Sequence, residues 1–229
     1  MQTSTHTPPR AVIFDLDGTL IDSLADIADA ANRALQAHGI APQPRAAFPT
    51  FIGEGASKLI ERCMAAAGPN GTPEGAAAVL ASFRTEYERA LVVETQPFEG
   101  IAALLKGLEE ARCPLAILSN KPDPWTRTIT HQLFPTTRFV AVQGQKPEVP
   151  AKPHPSAALT LAEQLGVAAE AIAFVGDSAV DIHTAQAAGM HAIAVSWGLA
   201  PRSQLEAAAP DHIVDTVAQL AALLLPKTS

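Results

Sequence analysis

The stretch "VIFDLDGTLIDS", Val12–Ser23, decides the fold of this chain. Its apolar start is typical of a strand that is buried on both faces of a parallel sheet. Asp15 and Asp17 follow at once, and Gly18 breaks the pattern as a turn would. The sequence therefore predicts a core strand that delivers two carboxylates to one place.

Composition narrows the class of protein. The chain has 229 residues, 48% of them hydrophobic, which is enough for one α/β domain with a smaller insert. A net charge of -7 without basic runs argues against a nucleic-acid partner. Cys63 and Cys113 stand far apart in apolar contexts, so we expect reduced core thiols rather than a disulfide or a zinc site.

The N-terminal residues 1–10, "MQTSTHTPPR", have neither a cationic start nor an apolar segment, which predicts a disordered lead-in rather than a signal peptide. No apolar run reaches the roughly 18 residues that span a bilayer. We therefore expect a cytoplasmic protein without a membrane partner. The oligomeric state stays open between a monomer and a homodimer. Asn70–Thr72 is interpreted as a turn, with Thr72 capping a helix.

Buried strands and helices alternate along most of the chain, which predicts a Rossmann-like parallel sheet with helices on both faces. The strand candidates are Ala11–Asp15, Pro114–Ser119, Arg138–Val142, Ala171–Asp177, His191–Ser196 and His212–Val214. The helix candidates of this part are Ile101–Ala111, Pro124–Leu133, Ser156–Leu165, Val180–Ala188 and Thr216–Leu225.

One long stretch interrupts this alternation. Between the first strand and Pro97 lie about seventy residues without a credible strand, far more than an ordinary loop. Apolar stripes at helical spacing fill it, beginning near Leu24, Leu59 and Val79. We expect an all-helical cap domain over residues 22–93, inserted into a core domain of residues 1–21 and 94–229.

Polar side chains stand at the ends of the predicted strands, where open parallel sheets bind their ligands. The first strand leads to two acids, and later strand ends and loops add the rest. The candidates are Asp15, Asp17, Ser119, Asn120, Lys152, Asp177 and Asp181.

These residue types suit one chemistry. Clustered carboxylates repel one another, and a divalent cation removes that penalty. Oxygen ligands without His or Cys favour Mg²⁺, although Mn²⁺ also accepts such sites. A lysine and a hydroxyl beside the metal suit an anion with several oxygens, and phosphoryl groups fit that description.

The motifs "FDLDGTL", "ILSN", "AKPHP" and "VGDSAVDI" occur in this order, each at a strand end or in the loop after it. Together they resemble the haloacid dehalogenase superfamily of phosphatases, from about Ala11 to Leu225. The resemblance implies that Asp15 is a nucleophile that forms an aspartyl-phosphate and that Asp17 is the general acid/base.

It also implies a Mg²⁺ site. Asp15 and Asp177 would bind the metal through their side chains and Asp17 through its carbonyl, while Asp181 would orient a metal-bound water or Lys152. Ser119 and Lys152 would hold phosphoryl oxygens, and Asn120 would orient the loop beside them. The inserted segment corresponds to the helical cap of that superfamily.

Within the cap, "FIGEGASKL" resembles the phosphoglycolate phosphatase branch, as do "SNKPD" and "PFEG". Gly53, Glu54 and Gly55 begin a helix, and Lys58 lies in its first turns. Gly53 and Lys58 are therefore candidates for binding a small anionic leaving group. A plain helix start explains these residues equally well.

The leading hypothesis is Mg²⁺-dependent hydrolysis of a small phosphomonoester, with 2-phosphoglycolate as the favoured substrate. Alternatives are a sugar-phosphate phosphatase, a pyrophosphatase or a sugar phosphomutase. A dehalogenase is disfavoured, because it needs neither Asp17 nor a metal. A non-catalytic protein on the same fold also stays open, although none of the residues whose loss would mark it is lost.

Overall fold

The computed structural model describes residues 8–68 and 75–226, so the predicted turn at Asn70–Thr72 and residues 1–7 of the predicted lead-in lie outside it. The strands of the described part are β1 Ala11–Phe14, β2 Ile21–Asp22, β3 Gln96–Pro97, β4 Leu115–Pro122, β5 Phe139–Gln145, β6 Ile172–Gly176, β7 His191–Val195 and β8 His212–Val214. Its α-helices are α1 Leu24–Ala37, α2 Ala56–Ala66, α3 Ala76–Glu88, α4 Ile101–Glu110, α5 Asp123–Leu133, α6 Ser156–Leu165, α7 Ala179–Ala188, α8 Arg202–Ala207 and α9 Val217–Leu224.

Six of these strands form a parallel sheet in the order β5-β4-β1-β6-β7-β8. Alternate residues of β1 enter opposite cores, because successive side chains of a strand point to opposite faces. Val12 and Phe14 pack with α4, α5 and α9, whereas Ala11 and Ile13 pack with α6, α7 and α8. The predicted parallel sheet with helices on both faces is therefore confirmed.

The predicted elements lie close to the observed ones, and α8 is the α-helix that the sequence pattern missed. α8 has only six residues, and Leu205 is its one buried side chain. So short a segment cannot display a helical repeat. Among the described residues, no helix is long and apolar enough to cross a membrane.

The helices between β2 and β3 have their own apolar cluster. α1, α2, α3 and a 3-10 helix at Arg45–Thr50 share it, with Phe48, Phe83 and Tyr87 among the buried side chains. Trp125 of α5 packs into the same cluster from the side of the sheet. We call the described part of residues 24–93 the cap segment; the domain boundaries at 22 and 93 stay a prediction.

A short ribbon carries the chain into and out of the cap segment. β2 pairs antiparallel with β3, with Ile21 opposite Pro97 and Asp22 opposite Gln96. The expectation of no strand between β1 and Pro97 needs this correction: runs of two residues are too short to show an alternating pattern.

Asp26 joins the two connections just beyond this ribbon. Its carboxylate accepts hydrogen bonds from the backbone N–H groups of Val93, Glu94 and Thr95 and from the Thr95 hydroxyl, at 2.6–3.1 Å. The first helix of the cap segment is thereby tied to the strand that leaves it.

Candidate active site

The carboxyl ends of β1, β4 and β6 bring the predicted residues together. These strands are neighbours in the sheet. The chain adds β4 and β5 on one side of β1 and then β6, β7 and β8 on the other side, and parallel sheets open a crevice where the strand order reverses in this way. Asp15 follows β1, Ser119 and Asn120 lie within β4, and Asp177 follows β6.

Asp15, Asp177 and Asp181 form a buried cluster of acids. Each offers a carboxylate oxygen, and these oxygens lie within 4.8 Å of one another. Lys152, which is 5% exposed, donates hydrogen bonds to Asp15 Oδ1 at 2.8 Å and to Asp181 Oδ1 at 2.5 Å. One ammonium thus balances part of the charge of three buried carboxylates.

Burial and mutual repulsion act strongly on these acids. Burial raises the pKa of Asp15 to about 7, against the lowering effect of the nearby Lys152 and with a further rise from Asp181. Burial, and then Asp181 and Asp15, hold the pKa of Asp177 well above its ordinary value. Carboxylates that are costly to ionise together are the donor set that a hard divalent cation stabilises, so these residues fit Mg²⁺.

Asp181 lies in the first turn of α7, where the N-cap residue Ser178 forms a capping box with it. Its Oδ2 accepts a hydrogen bond from the Ser178 hydroxyl at 2.6 Å, and its Oδ1 accepts one from Lys152. Both oxygens are therefore used within the protein, and of the two predicted orientation roles the structure displays the contact with Lys152.

Three glycines give the acids their space. A Cβ atom on Gly18 would lie 2.2 Å from Asp177 Oδ2, and one on Gly198 would lie 2.3 Å from Asp177 Cβ. A Cβ atom on Gly176 would lie 2.2 Å from Asp181 Cβ. Real side chains do not tolerate such distances, so glycine is required beside each of these acids.

Asp17 stands apart from the acid cluster and has its own partners. Ser23 donates its hydroxyl to Asp17 Oδ1 at 2.5 Å, and Lys121 donates its ammonium to the same oxygen at 2.6 Å. Lys121 also donates to the phenolic oxygen of Tyr87 in the cap segment, at 2.7 Å.

The predicted site residues did not include Ser23, Lys121 or Tyr87. A lysine after a strand is usually solvated, and Tyr87 looked like one member of an apolar helical stripe. The one available signal for Lys121 was its place directly after Ser119 and Asn120, in a strand whose burial continues past the predicted end.

Ser119 and Asn120 differ in their freedom to act. Ser119 is 4% exposed and lines the cavity described below, and its oxygen accepts the backbone N–H of Lys121 at 3.2 Å. The Asn120 side-chain amide donates to the Lys152 carbonyl and accepts from the Lys152 backbone N–H. It also donates to the Gly53 carbonyl at 3.2 Å. Asn120 therefore holds the Lys152 loop and the cap segment together, as a residue that orients loops would.

A cavity of about 330 Å³ lies between the carboxyl ends of the strands and the cap segment. Asp15, Asp17, Ser119 and Asp177 line its core side, and Gly53 lies on its cap side. That volume is at the small end for ligand pockets, which suits a small substrate.

The two cations of α2 are placed differently. Lys58 is not one of the residues that line the cavity; its ammonium is half-exposed and pairs with Glu61 at 2.6 Å. Arg62, one turn later, does line the cavity, donates to the Phe51 carbonyl at 3.2 Å and pairs with Glu54. The cation of α2 on the cavity wall is thus Arg62, and its partner Glu54 lines the same cavity.

Comparisons with known proteins agree with this geometry. A sequence model of the family described as haloacid dehalogenase-like hydrolase matches residues 9–189. The phosphoglycolate phosphatase of Xylella fastidiosa is 35% identical over 195 residues, which cover 85% of this chain and 83% of that protein. The phosphoglycolate phosphatase of Yersinia pestis is 33% identical over 211 residues, covering 92% and 91%.

Solved structures agree as well. The crystal structure of a predicted phosphoglycolate phosphatase from Haemophilus somnus superposes with a TM-score of 0.88 at 27% identity, covering 95% of this chain and 98% of that one. The chain therefore belongs to the haloacid dehalogenase-like hydrolases. It is an enzyme of that family and resembles the family's phosphatase members over nearly its whole length.

Proposed function

We propose that this enzyme hydrolyses 2-phosphoglycolate to glycolate and phosphate, with Mg²⁺ as cofactor and an aspartyl-phosphate on Asp15 as intermediate. The observation that carries the proposal is the set of side chains at the carboxyl ends of the central strands. Asp15 is hydrogen-bonded to Lys152 within a buried acid cluster, and Asp17 and Ser119 lie on the same cavity wall. The similarity to phosphoglycolate phosphatases supports the choice of substrate.

In the first step, a carboxylate oxygen of Asp15 attacks phosphorus and the bond from phosphorus to the ester oxygen breaks. Asp17 gives its proton to the departing alkoxide, which leaves as glycolate. Lys152 and the Ser119 hydroxyl hold phosphoryl oxygens and thereby position the group and spread its charge.

In the second step, a water molecule attacks the phosphorus of the aspartyl-phosphate. Asp17, now a carboxylate, takes a proton from that water, and the bond from phosphorus to the Asp15 oxygen breaks. Phosphate leaves, and both aspartates return to their starting states.

Asp15 and Asp177 would hold Mg²⁺ through their carboxylates and Asp17 through its backbone carbonyl. When bound, the cation neutralises the clustered acids and the phosphoryl charge. Asp181 keeps Lys152 in place beside Asp15 through the bond described above.

Selection of the substrate falls to the cap side of the cavity, because the core residues address only the phosphoryl group. A glycolate leaving group carries a carboxylate, and Arg62 is the cation that the cap segment presents on the cavity wall. A guanidinium has five N–H donors in a planar fork that suits carboxylates, and the bonds to Glu54 and Phe51 use only part of it. Arg62 therefore replaces Lys58 in the proposal.

A panel of phosphate esters tests this function. The purified enzyme should show its highest kcat/KM on 2-phosphoglycolate, compared with sugar phosphates, 2-hydroxyethyl phosphate and pyrophosphate. 2-Hydroxyethyl phosphate is the informative control, since it has nearly the same size and lacks the carboxylate. A preference for a sugar phosphate would reject the substrate, and conversion of one sugar phosphate into its isomer would indicate a phosphomutase.

A further inference from the structure

Lys121 lies between Asp17 and the cap segment. The side chain extends from β4 and is 7% exposed, and its ammonium is 2.6 Å from Asp17 Oδ1 and 2.7 Å from the Tyr87 oxygen. Tyr87 is carried by α3. One buried cation therefore contacts the Asp17 carboxylate, which follows the central strand β1, and the Tyr87 phenol of the cap segment at the same time.

The surroundings keep the Tyr87 phenol in place. Its ring stacks on Phe83 with centroids 5.6 Å apart, and the Trp125 ring meets it edge-on at 5.2 Å. Trp125 belongs to α5 below the cap segment, and its indole N–H donates to Glu88 at 3.3 Å. The tyrosine oxygen is thus fixed by rings from both sides of the junction.

Burial makes the Lys121 ammonium depend on both of its partners. An ammonium removed from water is unfavourable unless hydrogen bonds and opposite charge compensate it. If the cap segment moved away, Tyr87 would leave with α3, and water would enter beside the ammonium. The attachment of Lys121 to Asp17 would then loosen.

The bonds to Asp17 are also directional. Among the described residues, Ser23 and Lys121 both donate to Oδ1 of this carboxylate. Oδ2 is thereby left for the oxygen of a leaving group or of an attacking water.

We propose that Lys121 is a positioning residue that aims Asp17 Oδ2 at the leaving oxygen, and that Tyr87 makes this aim depend on the cap segment covering the cavity. The inference rests on the proposed function, because it requires Asp17 to be the acid/base. A closed cavity and a correctly aimed acid would then occur together, which limits proton transfer to the state that shields the substrate from bulk water.

The test compares two aryl esters of similar shape, phenyl phosphate and p-nitrophenyl phosphate. Phenolate is the more basic leaving group, so its departure depends more on a proton from Asp17. The variant Tyr87→Phe keeps the ring stack and removes only the oxygen. Thr85→Val on the same helix is the matched control, because Thr85 is exposed and its hydroxyl bonds only the Ala81 carbonyl among the described residues.

We expect Tyr87→Phe to lower kcat/KM for phenyl phosphate about tenfold more than for p-nitrophenyl phosphate, the effect of losing one hydrogen bond to a charged group. Lys121→Met should widen this difference to about a hundredfold, because it misplaces the acid outright. Thr85→Val should leave the ratio of the two substrates unchanged.

Equal losses on both esters in Tyr87→Phe would overturn the role of the cap, since a general structural defect lowers both rates alike. Equal losses in Lys121→Met as well would overturn the positioning role. Asp17→Asn separates these failures from failure of the proposed function. If Asp17→Asn itself shows no dependence on the leaving group, Asp17 is not the acid, and the proposed function fails with the inference.

Discussion

Asp177 lies between Gly18 and Gly198, and both glycines approach it more closely than any side chain would allow. A Cβ atom on Gly198 would also lie 2.4 Å from the Gly18 carbonyl oxygen, so a shift of Asp177 alone would not make room for it. The candidate metal site thus depends on the lack of a side chain at these two glycines as much as on its carboxylates.

Gly198→Ala should weaken metal binding although it removes no ligand. The added methyl displaces Asp177, and disturbing the support of a metal ligand typically lowers metal affinity by about 10- to 100-fold. A Mg²⁺ activation curve measures the effect. Gly107→Ala, in the middle of α4 and away from the cavity, is the control and should leave the curve unchanged; similar curves for both variants would disprove the argument.

Asp15→Asn should abolish turnover, because an amide does not attack phosphorus. We expect a loss of at least about 10³-fold, as for other catalytic nucleophiles. Asp17→Asn should retain slow formation of the phosphoenzyme, which would persist because water is not activated, and this species can be detected by mass spectrometry. The control is Asp29→Asn, a partly exposed acid of the cap segment that pairs with Arg45. Measurable steady-state turnover by Asp15→Asn would remove it as the nucleophile.

At the scale of the elements, the carboxylate of Asp26 fastens α1 to the chain that leaves the cap segment. Burial by itself raises the pKa of Asp26, but hydrogen bonds from Thr95, Val93 and Glu94 outweigh it and hold the pKa below the ordinary value of 3.8. Because the folded state favours the ionised carboxylate more than the unfolded state does, Asp26 stabilises the fold whenever it is charged.

Asp26→Asn should lower the free energy of unfolding by about 2 kcal/mol near neutral pH, since hydrogen bonds to a charge are lost. Asp29→Asn on the same helix should cost less than about 1 kcal/mol. The lowered pKa fixes the sign of the pH dependence: the stabilisation is present above 3.8 and is lost as the pH falls through the folded value. Urea unfolding at several pH values measures this, and a difference that grows in acid would contradict it.

Arg62 and Lys58 provide a matched pair on α2, four residues apart with only Arg62 on the cavity wall. Arg62→Gln should lower kcat/KM for 2-phosphoglycolate about ten- to a hundredfold, the effect of one charged contact, and should change the rate on 2-hydroxyethyl phosphate little. Lys58→Gln should leave both rates near those of the wild type. If the two variants behave alike, the assignment of the carboxylate contact to Arg62 is wrong.

At the scale of the whole molecule, the acid cluster couples metal binding to folding, because a ligand that binds only the folded state stabilises it. Mg²⁺ at about a hundred times its Kd should contribute about 2.7 kcal/mol, which for a chain of this size corresponds to a rise in Tm of roughly 5–10 °C. Chelator should remove both the rise and the activity. Asp177→Ala should lose the rise more completely than Asp181→Ala, and full activity in EDTA would exclude a metal-dependent mechanism.

Much of this architecture could be predicted from the sequence, because buried parallel strands are continuous apolar runs and their ends mark the crevice. Asp15, Asp177 and Lys152 were found in this way. The partners of Asp17 could not be found, since Lys121 and Tyr87 meet only when the cap segment folds over the sheet. Lys58 and Arg62 are both cations on nearly the same face of α2, so the sequence pattern does not distinguish them, and only the structure shows that Arg62 is the one on the cavity wall.

The β2–β3 ribbon has a consequence for how such enzymes can diversify. Because the outgoing and returning strands are hydrogen-bonded neighbours, the two junctions lie only about 4.8 Å apart. Any folded segment whose ends are that close can be spliced between them without rethreading the sheet. A chimera that carries a foreign cap should therefore fold and take its substrate range from the donor, and it should keep full acid catalysis by Asp17 only where the donor supplies a counterpart of Tyr87.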